Sequence, residues 1–252
     1  MRFEEIPDPA SMPSMNCESL AACTNSFNEF ITGRGVRKSA AFDFEVDFFR
    51  RNVDAVSVEY GCGEGRLTTR VNPTYAVDYS PRAIAVCQRL GLSTEFICGD
   101  FTTEDLPEPI DYFYSAGETL TNLSLSALAA MAGRAWRNGR EGSVLKVTSL
   151  APRYYGRLLE GGTSEWRAWR AATDAVSCLV PSARSGEIIQ WLGLREGGGW
   201  RFTHVHEYVH AAKSIENALS SNGWTLRESP ENRSCPAPIH FFSAVRSDNF
   251  CS

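Results

Sequence analysis

The chain is short of the features that most often announce what a protein does. No run of eighteen apolar residues occurs in its 252 positions, so no membrane-spanning helix is expected. There is no basic surplus: 25 Lys and Arg face 30 Asp and Glu, a net charge of −5, and nucleic-acid binding usually leaves a basic footprint. The eight cysteines stand at 17, 23, 62, 87, 98, 178, 235 and 251, and no two are spaced as in a zinc knuckle or a redox dithiol. They are too sparse for a disulfide scaffold. Cys98 lies in an apolar run, where free cysteine behaves as a small hydrophobe, and a reduced, cytoplasmic protein is expected. No glycine is followed by lysine, which excludes a P-loop. Met1-Arg2-Phe3-Glu4-Glu5 is acidic with no apolar run after it and does not read as a secretory signal.

What remains is ordinary globular composition, 43% apolar and 22% charged, in a chain long enough to bury a core without disulfides. Residues 1–25 are rich in Pro, Ser and Met near their start and read as a flexible arm. Residues 26–52 turn helical, with Phe27, Phe30 and Ile31 on one face and Phe44, Phe48 and Phe49 on another, and read as a helical cover. From about residue 53 strands and helices alternate. Residues 55–60, 74–78, 94–98, 110–115 and 143–148 are strand-like. Pro81 suits the first turn of a helix running to about Leu90, with Gly91 as its stop, and Leu123 to Trp136 is an Ala-rich helix. This alternation implies an α/β fold with a mostly parallel, doubly wound sheet over residues 53–152. Residues 153–204 mix glycine, arginine and aromatics and read as an inserted cover. Residues 205–252 add a helix and two final strands, 224–228 and 240–246.

The chemistry gathers where strands end. Val58-Glu59-Tyr60-Gly61-Cys62-Gly63-Glu64-Gly65-Arg66 leaves a strand and enters a helix. Ligands of open parallel sheets bind beyond such strand ends, where glycine lets the backbone turn sharply and approach closely. The third glycine comes two residues after the second rather than three, which departs from the dinucleotide fingerprint. Glu59, just before the glycines, can orient a ligand ammonium. Asp78, ending the next strand, can accept two ribose hydroxyls. Asp100 can accept an amine such as that of adenine, and Tyr79 and Phe101 offer apolar flanks for a purine.

This order of residues resembles the class I S-adenosylmethionine-dependent methyltransferases of the small-molecule type, closely over about residues 53–152 and loosely over 205–246. The resemblance implies a Rossmann-like doubly wound sheet of seven strands, mostly parallel, closed by a C-terminal antiparallel hairpin. It implies S-adenosylmethionine as cofactor. Gly61 and Gly63, with Cys62 between them, would face its amino-acid part and Asp78 its ribose. Asp100 and Phe101 would contact adenine, and Ser115 and Ala116 would line the path beside the sulfonium. The Asn-Pro-Pro-Tyr type sequence of enzymes that methylate base amino groups is missing, since the chain reads Ser115-Ala116-Gly117-Glu118 there, and a Pro-Cys nucleophile is missing too. A small-molecule substrate is expected, with no nucleic acid or membrane partner, handled by a monomer or homodimer.

Candidates for the substrate side are Glu118 past the fourth strand, Tyr154 and His206. Trp166, Trp169 and Trp191 can wall a pocket or form the core of the cover. His206-Glu207-Tyr208-Val209-His210 matches H-E-x-x-H, the zinc-protease pattern, which requires both histidines on one helix face. Residues 200–206 instead alternate like a strand, with a helix starting around 207–211. Three alternatives therefore stand beside methyl transfer: transfer or cyclisation of the cofactor's 3-amino-3-carboxypropyl group, a catalytically silent partner subunit, and a zinc hydrolase using His206 and His210.

Overall fold

The computed structural model describes residues 6, 8, 40–50, 55–156, 165–168, 174–182, 184, 186–196, 198–228 and 239–247. The arm expected over 1–25 lies almost wholly outside these, as do Phe27, Phe30 and Trp169. The chain divides into two compact units: residues 36–152 with 210–252, and residues 1–35 with 153–209.

The larger unit holds α1 (Ala40–Phe49), β1 (Ser57–Tyr60), α2 (Thr68–Val71), β2 (Tyr75–Asp78), α3 (Pro81–Cys87), β3 (Glu95–Cys98), β4 (Ile110–Ser115), α4 (Gly117–Thr121), α5 (Leu125–Asn138) and β5 (Gly139–Leu150). It also holds α6 (Ala212–Ser220), β10 (Trp224–Glu228) and β11 (Ile239–Arg246) from the end of the chain. The strands form one seven-stranded sheet in the order β10-β11-β5-β4-β1-β2-β3. The pairs among β1 to β5 are parallel, and β11 runs antiparallel to both β5 and β10. This is the expected architecture, hairpin included.

The central strands are buried on both faces, which is why β1 reads as an unbroken buried run rather than an alternation. Val58, Val77, Phe113 and Leu145 pack on one face with Leu128 and Met131 of α5, Ile215 and Leu219 of α6 and the ring of Trp224. Tyr112, Tyr114 and Phe241 pack on the other with Phe48 and Phe49 of α1. Phe44, one turn before Phe48 on the same side of α1, is 41% exposed, so the apolar face expected of the three phenylalanines is covered only at Phe48 and Phe49. Helix boundaries follow their caps. Ser80 and Ser124 accept from the amides of Ala83 and Ala127, fixing the starts of α3 and α5. The α3 segment tightens into a 3-10 turn at Gln88–Leu90 before Gly91.

The smaller unit is a second sheet, antiparallel, of order β6-β7-β8-β9, comprising Arg167–Ala168, Ala175–Pro181, Glu187–Glu196 and Gly199–Tyr208. The segment expected as an inserted cover thus has a sheet of its own, and β9 carries it on to Tyr208. The helix expected around 207–211 begins only at Ala212. Cys178, Val180, Ile189 and Trp191 form the buried cluster on one of its faces, with Trp166 and Phe202 packed against it. No described helix is long and apolar enough to cross a membrane.

Candidate active site

At the C-terminal end of β1 the chain turns through Gly61, Gly63 and Gly65, with φ of 75°, 55° and 81°. The turn is tied to the next strand: the amides of Gly61 and Cys62 both donate to the Val77 carbonyl, at 2.8 and 3.2 Å. Two of these glycines answer different needs. A Cβ on Gly61 would meet Thr119 Cγ2 at 2.4 Å and Oγ1 at 2.5 Å, so this position serves packing of the turn against α4. A Cβ on Gly63 would meet nothing within 4 Å, so this position faces open space where a ligand can approach the backbone.

Glu59 sits beneath the turn and is buried to 2% exposure. Its Oε2 accepts from the hydroxyls of Thr68 at 2.7 Å and Tyr114 at 3.3 Å. Burial dominates the site's electrostatics and pushes this carboxyl up to about 8, against the opposing pull of the two hydroxyls and Arg66. The glycine turn brings Thr68 of α2 back to Glu59, and the β1–β4 register sets Tyr114 opposite it; neither neighbour is marked by a pattern in the sequence.

Asp78 closes β2 and is anchored on both oxygens. Gly63 N–H donates to Oδ2 at 2.7 Å and Ser80 N–H to Oδ1 at 2.9 Å. Burial raises its pKa while these amides hold it down. Asp78 is not the cap of α3; Ser80 is. Tyr79 follows and is half-buried. Asp100, after β3, accepts from Thr102 N–H at 2.8 Å and Thr102 Oγ1 at 2.7 Å, both on Oδ1, with no partner on Oδ2 among the described residues. The Phe101 ring turns into the core and stacks on Tyr60 with centroids 5.2 Å apart. Ser115 is fully buried and donates to the Tyr60 carbonyl at 2.9 Å, while Ala116, in extended backbone, immediately precedes α4. Cys62 is buried, its thiol held high by Cys87, by burial and by Glu59 and Asp78, which makes it a packing residue rather than a nucleophile.

These residues come from the ends of β1, β2, β3 and β4. In the sheet β4, β1, β2 and β3 are consecutive neighbours, so the glycine turn and its acids share one edge. A zwitterionic, ribose-bearing, purine-bearing ligand fits that donor set: an open backbone at Gly63, a buried acid for an ammonium, an anchored acid for hydroxyls and a free carboxylate oxygen for an amine.

Glu118 lies in the first turn of α4, and Tyr154 ends a 3-10 turn at Pro152–Tyr154; the side chains of both lie outside the described residues. His206 is on β9, where Nδ1 meets Glu187 Oε1 at 2.6 Å. Extended backbone puts Glu207 on the face opposite His206, where the Tyr155 hydroxyl donates to it. His210 lies past the strand, its Nε2 on the Leu123 carbonyl at 2.8 Å. The H-E-x-x-H pattern therefore has no helix under it, which removes the geometry a zinc hydrolase needs, and no metal-binding cluster occurs among the described residues.

No family model and no curated protein matches the sequence. Solved structures do match in fold. One is an S-adenosylmethionine-dependent methyltransferase from Clostridium acetobutylicum, at TM-score 0.66 and 15% identity, covering 89% of this chain and 99% of that one. Another is the sugar N-methyltransferase KedS8 from Streptoalloteichus sp., at 0.63 and 19%, covering 88% and 93%. A third is CalS10, an amino pentose methyltransferase from Micromonospora echinaspora with its cofactor bound, at 0.62 and 17%, covering 92% and 99%. Strand order, glycine turn and C-terminal hairpin together give this chain the Rossmann-like fold of the S-adenosylmethionine-dependent methyltransferases.

Proposed function

We propose that the protein is an S-adenosylmethionine-dependent methyltransferase acting on a small molecule. One observation carries the reading: Glu59, the glycine turn, Asp78 and Asp100 stand at neighbouring strand ends on one edge of the sheet. When bound, the cofactor supplies a methyl group made electrophilic by its sulfonium. Gly61, Cys62 and Gly63 bring backbone to its amino-acid end, and Glu59 faces the ammonium. Asp78 takes the ribose hydroxyls on oxygens whose aim the Gly63 and Ser80 amides fix. Asp100 Oδ2 takes the adenine amine, with Tyr79 and the backbone at Phe101 beside the ring. Ser115 and Ala116 border the methyl path.

Transfer is an in-line displacement, so the protein's main task is to hold the nucleophile behind the methyl carbon. A proton acceptor is needed only where the nucleophile carries a proton, and Glu118, Tyr154 and His206 are the side chains proposed to meet the substrate. The net charge of −5 supports a small acceptor over nucleic acid, and fold neighbours named for sugar and amino pentose methylation support an amine-bearing metabolite.

Asp78→Ala is expected to weaken calorimetric binding of S-adenosylhomocysteine by about 1–3 kcal/mol, the range for a lost charged hydrogen bond, or roughly 5- to 150-fold. Unchanged affinity would remove Asp78 from the site. Mass spectrometry of the spent cofactor then identifies the group moved. Adenosylhomocysteine supports methyl transfer; methylthioadenosine means the aminocarboxypropyl group leaves instead.

A further inference from the structure

The glycine turn spends much of its backbone on the protein itself. The amides of Gly61 and Cys62 donate to the Val77 carbonyl, that of Gly63 to Asp78 Oδ2 at 2.7 Å, and that of Gly65 to the Cys62 carbonyl at 3.0 Å. A carboxylate can only accept hydrogen bonds, so this turn has little backbone left to offer one. The charged groups beside it, Glu59 and Asp78, are buried acids, which suit an ammonium and repel a carboxylate. An amino-acid ligand seated here therefore needs a cation for its other end.

Arg66 supplies one. It follows the third glycine, at the position where a dinucleotide fingerprint would carry a glycine. Its side chain is half-buried, whereas that of Arg70 in α2 is exposed. Its charge reaches Glu59 and works against the rise of that carboxyl. It is also held in place: Nη2 donates to Glu45 Oε2 at 3.4 Å. Glu45 is a buried acid of α1, and its Oε1 accepts from Thr148 Oγ1 of β5 at 2.9 Å. Glutamate is seldom buried unless paired, and this one is fixed between a strand and a guanidinium. The guanidinium has five N–H donors in a planar fork, enough to hold Glu45 and a ligand carboxylate together. All of these residues belong to the larger unit.

We propose that Arg66, positioned by Glu45, binds the carboxylate at the cofactor's amino-acid end and so selects the carboxylate-bearing ligand over its decarboxylated form. The proposal rests on the methyltransferase reading and adds the selectivity of the same site. Glu45 acts through Arg66: it fixes the aim of the guanidinium and touches no ligand itself.

The test is calorimetric titration of the full chain with two ligands, S-adenosylhomocysteine and its decarboxylated counterpart S-adenosyl-3-thiopropylamine. The wild type is expected to prefer the first by roughly 10- to 100-fold, the range for a charge-assisted hydrogen bond. Arg66→Gln should lose most of that preference by weakening S-adenosylhomocysteine alone. The decarboxylated ligand, still bound, shows that the variant is folded. Arg66→Lys returns a point charge without the fork and should regain part of the preference. Glu45→Gln turns an amide toward the guanidinium and should lower the preference by a smaller factor, again without weakening the decarboxylated ligand. A merely structural pair would weaken both ligands alike, so equal losses in Arg66→Gln and Arg66→Lys overturn the proposal. An unchanged preference in Arg66→Gln overturns it too, as does a wild type that binds both ligands equally. A wild type that binds neither ligand defeats the methyltransferase reading instead, so the two failures are distinct.

Discussion

Replacing Glu59 by glutamine is expected to remove a slope of about 1.4 kcal/mol per pH unit from the stability curve, the value for one proton held by only one of the two states. The folded-state pKa of Glu59 stands near 8 against 4.5 for a free carboxyl. Between those values the folded chain keeps a proton that the unfolded chain has lost. Raising the pH through this window therefore favours unfolding. The contribution is fully present below about pH 4.5 and lost by the time pH passes about 8. Summed over the window it amounts to roughly 3–6 kcal/mol. Glutamine keeps an oxygen to accept from Thr68 and Tyr114 and never ionises, so its curve stays flat where the wild type falls, and it is the more stable protein at pH 8. Urea titrations of both proteins at half-unit intervals of pH measure the difference directly. Parallel curves would mean that Glu59 is ionised in the fold.

The same acid gives ligand binding a signature. A cation placed against a protonated Glu59 favours its ionised form, so cofactor binding near neutral pH should release a proton. Titrations in buffers of different ionisation enthalpy detect this as a buffer-dependent heat.

Gly61→Ala is expected to destabilise the larger unit by roughly 2–5 kcal/mol. About 1–2 kcal/mol comes from a side chain at positive φ. Another 1–3 kcal/mol comes from forcing Thr119 out of its place. The second part is separable. Thr119→Ala removes the atoms that the new methyl meets at 2.4 and 2.5 Å, so the double variant should recover the steric part but not the backbone part. Gly63→Ala is the informative contrast. With nothing within 4 Å, it should cost only the backbone part in stability, yet weaken S-adenosylhomocysteine binding, because the added methyl enters the ligand's space. Equal stability losses at both glycines would contradict the division of one packing position from one binding position.

Much of the candidate site is legible in the sequence, for a physical reason. Buried parallel strands read as short apolar runs, and a run that stops at an acid or at glycines marks its own C-terminal end, which is where such sheets bind ligands. Glu59, Gly61, Asp78 and Asp100 are marked in this way, and the structure places all four at strand ends. What lay out of reach depended on register or side-chain direction. Phe101 follows Asp100 as a purine flank would, but its ring faces the core and stacks on Tyr60. Thr119 and Tyr114 reach the site through α4 and β4 from 55 or more positions away. In the second sheet, β9 alternates visibly at Phe202, His204 and His206, whereas β8 is buried on both faces from Ile188 to Leu194 apart from Gln190, so no alternation announces it. Without β8 its pairing with β9 could not be written down, and neither could the contact of Glu187 with His206. The H-E-x-x-H match shows the converse hazard: the letters are those of a zinc helix, and the strand beneath them sends alternate residues to opposite faces.

The central claim is that the strand-end edge of the seven-stranded sheet holds S-adenosylmethionine, and its most direct measurement is a calorimetric titration of the full chain with S-adenosylhomocysteine at pH 7. One saturable site per chain, with a heat that changes with buffer as Glu59 gives up its proton, is the predicted result. No saturable binding at millimolar ligand would contradict it.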